Sequence, residues 1–228
     1  MSSVKRQPRP TRRETRARLL DAAATVFIER GISSSSVEEI AEAAGFSRGA
    51  LYSNFADKDE LVLALLQTMT DEWTQETKEL LEKHPDPDDY VRATQELLVS
   101  PTRRQRNHHP VLSIELVLYA LRNPKARPLL KSRLDLAEEA IYAVIERSAA
   151  KLGINPADNR RAIAAMISAM DDGFSLHTLI DPTRDSLEAF STALDFIAEA
   201  GAAIAVAEKS GQKRKPTRPS VRKASAGS

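Results

Sequence analysis

The sequence contains no cysteine, and its 228 residues include only 8 glycines and 5% aromatic residues. The absence of cysteine excludes disulfides, thiolate zinc sites and thiol nucleophiles. No apolar run reaches the length of a membrane span, and the basic N-terminal segment is not followed by the apolar region of a signal peptide. We therefore expect a soluble protein of the cytoplasm that makes no membrane contact. The 42% hydrophobic and 29% charged residues are typical of a globular chain.

The formal net charge of +1 conceals a segregation of charge along the chain. Residues 1–18 carry a net charge of +6 and residues 209–228 a net charge of +7, so residues 19–208 carry −12. Basic ends on an acidic body indicate a polyanionic partner that is reached through those ends. The alternative is that both ends are solubilising tails. The composition of residues 1–10 and 209–228 predicts a disordered basic arm and a disordered basic tail.

Apolar residues between those ends recur at spacings of three and four, and no alternating strand pattern occurs, so we predict an all-α fold. Gly31 and Gly45 stand where the first two helices should stop. The second helix can be capped by Ser35 with Glu38 or by Ser36 with Glu39, since both pairs have the capping-box spacing. About nine helices are predicted: three short ones beginning after Thr11, Ser36 and Ser47, a long one over 58–83, and five near 88–100, 110–122, 126–152, 156–180 and 184–208.

The stretch from Ser36 to Lys58 is the most informative part of the sequence. Two short helices joined by a glycine-containing turn form a helix-turn-helix, whose second helix can enter the major groove of DNA. Helical spacing places Leu51 and Phe55 in a small core. It leaves an outer face formed by Arg48, Gly49, Tyr52, Ser53 and Asn54.

Each residue type on this face suits a contact with DNA. Arg48 can pair with guanine or neutralise a phosphate, and Gly49 and Ala50 let the helix backbone approach the groove. Tyr52 and Asn54 suit phosphate hydrogen bonds, and side chains at helix N-termini are natural phosphate anchors. The predicted DNA-binding residues are Ser36, Ser47, Arg48, Gly49, Ala50, Tyr52, Asn54 and Lys58. In isolation, a helical hairpin of this kind can equally bind nothing.

Residues 12–61 closely resemble the DNA-binding domain of the TetR family of bacterial transcriptional regulators. The resemblance is carried by LLDAAATVFIERG (19–31), SVEEIAEAAG (36–45) and FSRGALYSNFADKDEL (46–61). The family often has a hydroxyl residue where Ala50 stands and histidine where Asn54 stands, so operator preference is not implied.

The resemblance implies a function and a domain organisation. Residues 11–60 would bind DNA, and 61–208 would bind an effector and dimerise through the last two long helices, although an ordinary intrachain core explains the same apolar pattern. The protein would be a homodimeric transcriptional repressor that binds a pseudo-palindromic operator and is released by an unidentified small molecule.

Candidate ligand contacts are soft, aromatic or polar residues at helical spacing among apolar neighbours in the larger domain. They are Met69, Trp73, Glu115, Tyr119, Met166, Met170, Phe174 and His177. Each alone can equally be a core residue. Glu115 is the sharpest candidate because a buried carboxylate needs a partner.

The motifs of enzymes are missing. His108 and His109 have no metal-ligand spacing, Asp171 and Asp172 point about 100° apart on a helix, and the sequence has no glycine-rich phosphate loop or nucleophile elbow. We therefore expect no enzyme activity, no metal and no cofactor. Besides the regulator, a sequence-nonspecific architectural DNA-binding protein is the alternative hypothesis, and a helical enzyme is a third that no motif favours.

Overall fold

The computed structural model describes residues 10–99, 110–151, 153, 159–181, 183 and 186–209. For residues 98, 99, 186, 187, 202, 204, 205 and 207–209 it describes the backbone alone. The predicted arm and tail, apart from residues 10 and 209, and His108–His109 lie outside the described residues. The described part is all-α, as predicted, and contains no strand. Its nine helices are α1 (Arg12–Arg30), α2 (Val37–Ala43), α3 (Arg48–Tyr52), α4 (Lys58–Lys83), α5 (Pro87–Val99), α6 (Pro110–Arg122), α7 (Arg127–Lys151), α8 (Arg160–Ile180) and α9 (Ser186–Lys209).

Local capping sets the start of the first helices. Thr11 and Glu14 form a complete capping box at α1, with the Glu14 amide donating to Thr11 Oγ1 at 3.2 Å. At α2 the structure selects Ser36 with Glu39, while the Ser35 hydroxyl donates to the Gly31 carbonyl at 2.5 Å. The predicted capping box of Ser36 with Glu39 is therefore confirmed, and the alternative pairing of Ser35 with Glu38 is not used.

Glycine at positive φ ends the first two helices. Gly31 has φ of 81° and Gly45 has φ of 73°, a region that an L side chain rarely adopts. Both positions match the predicted stops. The chain therefore reverses direction twice between Arg12 and Gly45. As a result, α2 packs against both α1 and α3.

The fully buried core lies in the N-terminal half of the molecule. We call α1–α3 the head and α4–α9 the body. The core fills the head and continues into the first three turns of α4 and the inner face of α6. Its largest members, each less than 2% exposed, are Leu19, Phe27, Ile40, Leu51, Phe55, Leu61, Val62, Leu65, Leu66, Met69, Leu112 and Leu116.

The rest of the body is a layered bundle with a thinner core. α7 packs against α4, α5, α6 and α8, and α9 packs against α8. Several large apolar side chains of α8 and α9 are exposed: Met166 and Leu176 at 45%, Val206 at 67%, Phe196 at 71% and Ile180 at 74%. Among the described helices, none combines the length and the apolar character that crossing a lipid bilayer requires.

Candidate nucleic-acid interface and ligand cavity

The short helix α3 is held by one apolar side and presents the other to solvent. Leu51 is fully buried and Phe55, just beyond the helix, is 1% exposed. At the N-terminus the Ala50 amide donates to Ser47 Oγ at 3.2 Å, so Ser47 is the N-cap that the sequence predicts. These contacts fix the rotation of α3 and so decide which residues face outward.

The outward face carries one arginine, one tyrosine and little bulk between them. The Arg48 side chain is 65% exposed, pairs with Glu38 of α2 through Nε at 2.9 Å, and lies with its guanidinium 5.4 Å from the centre of the Tyr52 ring. Tyr52 and Glu38 both raise the pKa of Arg48. Gly49 is exposed, and a Cβ added there would contact only Ser47 Oγ, at 3.8 Å. Arg48, Gly49 and Tyr52 thus lie where the sequence places them.

Asn54 is the exception, and its predicted position on the outer face is wrong. The side chain is only 8% exposed, and its Nδ2 donates to the Ala50 carbonyl at 2.8 Å. The physical reason is that α3 ends at Tyr52 and the chain turns at Ser53. Asn54 therefore no longer follows the helical phase that the prediction assumed, and its amide closes the helix C-terminus.

Ser36 and Lys58, predicted as phosphate anchors, lie together at the N-terminus of α2. Both are half-buried, and Lys58 Nζ donates to the carbonyl of Ser35 at 2.5 Å. Burial lowers the pKa of Lys58. The Ser36 hydroxyl donates to Glu39 within the capping box, at 3.0 Å. The structure thus brings the two residues beside each other and already gives each a role in the head.

Three arginines of α1 have structural contacts that the sequence did not reveal. Arg12 and Arg16 donate to the carbonyls of Ser53 and Asn54, at 3.3 and 2.9 Å, and Arg18 donates to that of Ala44 at 3.1 Å. These carbonyls follow α3 and end α2, where the helix dipole favours a positive charge. The basic residues at the start of α1 therefore brace the helix-turn-helix. The basic spacing of α1 was visible in the sequence, but its targets lie 26 to 41 residues away.

A second candidate site is a cavity of about 240 Å³ among α4, α5, α7, α8 and α9. Its walls are mostly apolar, with Ile141, Ile145, Ile167 and Phe190 among them. Of the eight residues predicted to contact a ligand, only Trp73 lines it. The polar lining consists of Glu76, Thr77, Tyr90, Thr94, Gln95, Ser168 and Asp171, none of which the sequence analysis proposed as a ligand contact.

The other predicted ligand contacts do not line this cavity, and five of them lie in the core beneath the head or along α8. Met69 is 1% exposed and belongs to the core beneath the head. Met166 and His177 face outward on α8, and the half-buried Met170 does not reach the cavity. Phe174 is one layer back, in edge-to-face contact with Phe190 at 5.8 Å between ring centres. Helical spacing identified the apolar faces correctly but could not say which face meets the cavity.

Glu115 joins the body to the head, Tyr119 joins α6 to the start of α4, and neither residue lines the cavity. Glu115 Oε2 accepts the backbone N–H of Ile32 at 2.8 Å and would lie 3.2 Å from a Cβ added to Gly31. The carboxylate therefore fits against the turn between α1 and α2 because Gly31 has no side chain. This contact supplies the partner that a buried carboxylate needs, while the role of Glu115 as a ligand contact stays a prediction.

Tyr119 makes the second link, to the first turn of α4. Its hydroxyl donates to Asp59 Oδ1 at 2.7 Å and accepts from Asn123 Nδ2 at 2.6 Å. Burial and the Asp59 carboxylate raise the pKa of Tyr119 well above its usual range. With Glu115 at the turn after α1 and Tyr119 at the start of α4, α6 braces both the head and the helix that leads from the head into the body.

α2, the turn at Gly45 and the exposed α3 together form a helix-turn-helix. The sequence pattern of the bacterial regulatory proteins of the tetR family matches residues 19–65. Over 64 residues the chain is 42% identical to the HTH-type transcriptional regulator TtgR of Pseudomonas putida. The aligned segment covers 28% of this chain and 30% of TtgR. Residues 19–65 are therefore similar to the DNA-binding part of the TetR family of bacterial transcriptional regulators.

Further relatives extend or repeat this match. The HTH-type transcriptional repressor KstR2 of Rhodococcus jostii is 39% identical over 85 residues, covering 37% of this chain and 40% of KstR2. YfiR of Bacillus subtilis is 26% identical over 166 residues, covering 72% of this chain and 79% of YfiR. The match thus spans less than a third of TtgR and less than half of KstR2, so the strongest sequence similarity is confined to the N-terminal part.

Solved structures extend the similarity to the body at the level of the fold. A Saccharomonospora viridis protein in complex with choline matches with a TM-score of 0.69 and 20% identity, covering 82% of this chain and 96% of that one. The transcriptional regulator FadR of Bacillus subtilis in complex with stearoyl-CoA matches with a TM-score of 0.64 and 18% identity, covering 78% and 94%. At these identities the likeness concerns the fold alone.

Proposed function

We propose that this chain is a ligand-responsive transcriptional repressor that binds a pseudo-palindromic operator as a homodimer. In this proposal residues 11–60 form the DNA-binding domain and residues 61–208 the effector-binding and dimerisation domain. The observation that carries it is the face of α3 on which Arg48, Gly49 and Tyr52 are exposed to solvent.

The face is suited to the major groove by shape and by charge. The N-terminal residues of a recognition helix meet base edges, and here those residues are Ser47, Arg48, Gly49 and Ala50. Arg48 can exchange its contact with Glu38 for guanine or phosphate, since both groups of that ion pair are at least half exposed. Tyr52 supplies a phosphate contact one turn later. Ser36 and Lys58 flank the face at the N-terminus of α2 and complete the proposed DNA-binding set.

The exposed apolar face of α8 and α9 supports a homodimer. Ile180 and Phe196 are more than 70% exposed, which is costly for large apolar side chains in water. A second copy related by a two-fold axis would cover both faces with the same residues. It would also bring a second α3 to the DNA, which is what a pseudo-palindromic operator requires.

The course of α4 supports a coupling between the cavity and the head. This helix starts at the Asp57 cap beside α3 and passes the cavity four turns later at Trp73. Glu115 ties α6 to the head, and Tyr119 ties it to the first turn of α4. A ligand that binds better to one position of α4 would shift the population of head positions by its difference in affinity. Choline and stearoyl-CoA in the similar folds support a ligand role for the body.

The test is selection of an operator from randomised duplexes, followed by binding of the wild-type chain and of Arg48→Ala. Arg48→Ala should lose preference for the selected operator by roughly one to two orders of magnitude, the value of one good base contact of about 1–3 kcal/mol. Arg92→Ala is the matched control, since it removes the same charge from an ion-paired, exposed arginine of α5. A reporter behind the operator should be silenced, and the complex should contain two chains per duplex.

The outcomes separate the proposal from the architectural alternative. If the wild-type chain binds all duplexes equally and Arg48→Ala only reduces the salt dependence, the protein is a nonspecific DNA-binding protein. If Arg92→Ala lowers operator preference as much as Arg48→Ala, α3 is not the recognition helix.

A further inference from the structure

The charged side chains that line the body cavity are negative. Two acidic side chains line it, Glu76 from α4 and Asp171 from α8, and among the described lining residues there is no lysine, arginine or histidine. We propose that the effector of this cavity is a small organic cation, an amine or quaternary ammonium with an apolar body. This inference rests on the proposed function, because it names the ligand class of the same cavity.

Burial makes the sign of charge matter. One carboxylate oxygen of Glu76 is buried beneath the surface of the body. Each of the two acids also interacts with other groups of the protein. The proposed selection of the ligand therefore depends on the negative charge that the two acids place in the lining, and not on a carboxylate without a partner. A charge that leaves water for a largely apolar cavity needs an opposite charge close by. A bound ammonium group would meet two carboxylates in this cavity. A carboxylate or phosphate would meet two like charges and, among the described lining residues, no cation.

Aromatic side chains lie on the same walls as the acids. Trp73 precedes Glu76 by three residues on α4, so both project from one face of that helix into the cavity. Tyr90 of α5 also lines the cavity. The faces of Trp and Tyr rings attract ammonium groups, most strongly where water is excluded. Aromatic faces beside acids are a combination that favours a cationic headgroup over a neutral one of the same shape.

A hydroxyl group in the lining adds a hydrogen-bond acceptor. The Thr94 oxygen is buried and has no hydrogen-bond partner among the described residues. Thr94 lies one turn after Tyr90 on α5, on the same wall. A buried hydroxyl without a partner is costly, and an N–H of a bound amine would satisfy it.

The remaining walls and the volume describe the rest of the ligand. Leu80, Ile141, Val144, Ile145, Ile167 and Leu194 give the cavity an apolar interior. At about 240 Å³ it is smaller than the roughly 300–1,000 Å³ of pockets that hold drug-sized ligands. The ligand is therefore compact, with one positive headgroup and a short hydrocarbon or aryl body.

Three probes with one body test the charge preference: 4-phenylbutylamine, 4-phenylbutanol and 4-phenylbutyrate. Trp73 is the single tryptophan of the chain and lines the cavity, so its fluorescence reports binding there without interference. With the full-length protein, the amine should bind about ten-fold tighter than the alcohol, and the carboxylate should bind weakest. Equal binding of amine and alcohol, tighter binding of the carboxylate, or no response to any probe would overturn the proposal.

Charge-removing variants of similar shape assign the preference to the two acids. In the double variant Glu76→Gln/Asp171→Asn, the amine should lose its advantage and bind about as well as the alcohol does. Glu82→Gln is the control, since it removes one acid from an exposed position of the same helix. Thermal melts recorded by circular dichroism verify that each variant is folded. An advantage of the amine that persists in the folded double variant would contradict the assignment.

Binding to the selected operator, measured in parallel, separates this inference from the proposed function. If the amine binds at Trp73 with the expected preference but never releases operator, the ligand class stands and ligand control of DNA binding fails. If a neutral or anionic compound releases operator through this cavity while the amine does not bind, ligand control stands and the cationic class is wrong.

Discussion

The head and the body of this molecule are both helical, but they are stabilised in different ways. In the head, most large apolar side chains of α1–α3 are buried in the core, and each helix begins at a side-chain cap. Among the described side chains of α8 and α9, only Ala164 and Phe190 are buried, while Phe196 and Ile180 face outward. The head is complete within one chain, whereas the body retains apolar surface that a second copy or a ligand could cover.

The two regions therefore obtain their stability from different interactions. The head gains from interactions between residues close in sequence and from one dense core, so it should keep its shape whatever the body binds. Around the cavity, the body holds most of the described side chains half-buried, which leaves this part able to rearrange around a ligand. A regulator needs both properties, a rigid reading surface and an adaptable sensor.

The largest expected effect comes from truncating one phenylalanine in each region. Phe27→Ala should destabilise the protein by about 3–5 kcal/mol, because Phe27 is fully buried and a cavity would remain in a dense core. Phe174→Ala should cost less, about 1–2 kcal/mol, since Phe174 is half-buried and loses mainly its edge-to-face contact with Phe190. Denaturant unfolding followed by circular dichroism, at one fixed chain concentration, measures both values.

Equal losses of unfolding free energy in Phe27→Ala and Phe174→Ala would contradict this difference between head and body. An equal cost would mean that the body has a core as dense as that of the head, with Phe174 covered in the assembled protein. Repeating the measurement at several concentrations then distinguishes coverage by a second copy, which depends on concentration, from an intrachain core, which does not.

What the sequence could predict follows the same division. The caps at Ser36 and Ser47 and the stops at Gly31 and Gly45 depend on residues within a few positions, so the pattern alone predicts them. The placement of Glu115 depends on α6 packing against a turn 83 residues earlier. Helical periodicity says that such a residue faces inward, but not which neighbour it meets.

The candidate site divides in the same way. The outward face of α3 could be predicted because Leu51 fixes the helix rotation within one turn. Asn54 could not, because it lies two residues past the end of a five-residue helix, where a small error in the boundary changes the face. In the cavity, Trp73 was found and Glu76 was missed, although they share one face of α4, because an acid on a charged helix has no distinguishing pattern.

The next prediction concerns the contact between the two regions. Glu115→Ala should destabilise the protein by about 1–3 kcal/mol, because it leaves the N–H of Ile32 without its acceptor in a part-buried position. Glu115→Gln keeps an acceptor and should retain most of that stability. Thermal unfolding compares the two, with Glu96→Ala as an exposed control.

The same pair of variants tests whether the contact transmits the ligand signal. In Glu115→Ala, a ligand of the cavity should bind normally by Trp73 fluorescence but release operator less completely. If the alanine and glutamine variants are equally destabilised, the charge of Glu115 is what matters, not its role as a hydrogen-bond acceptor. If neither variant differs from wild type, α6 is not a strut between head and body.

The smallest expected change in stability, and the one that best separates folding from function, is Gly49→Ala. Gly49 lies inside α3 without a positive φ, and the added Cβ would meet only Ser47 Oγ at an ordinary contact distance of 3.8 Å. Alanine is the better helix former, so the head should become more stable by about 0.5–1 kcal/mol. Thermal unfolding of the variant measures this gain.

The same methyl group should weaken operator binding if α3 enters the major groove, because it stands on the face that approaches the bases. Fluorescence anisotropy with the selected operator measures the loss. A variant that melts higher and binds operator less tightly would show that glycine at this position serves recognition at the expense of the fold. If operator affinity is unchanged while the melting temperature rises, the face around Gly49 does not touch DNA, and the head must read its target through another surface.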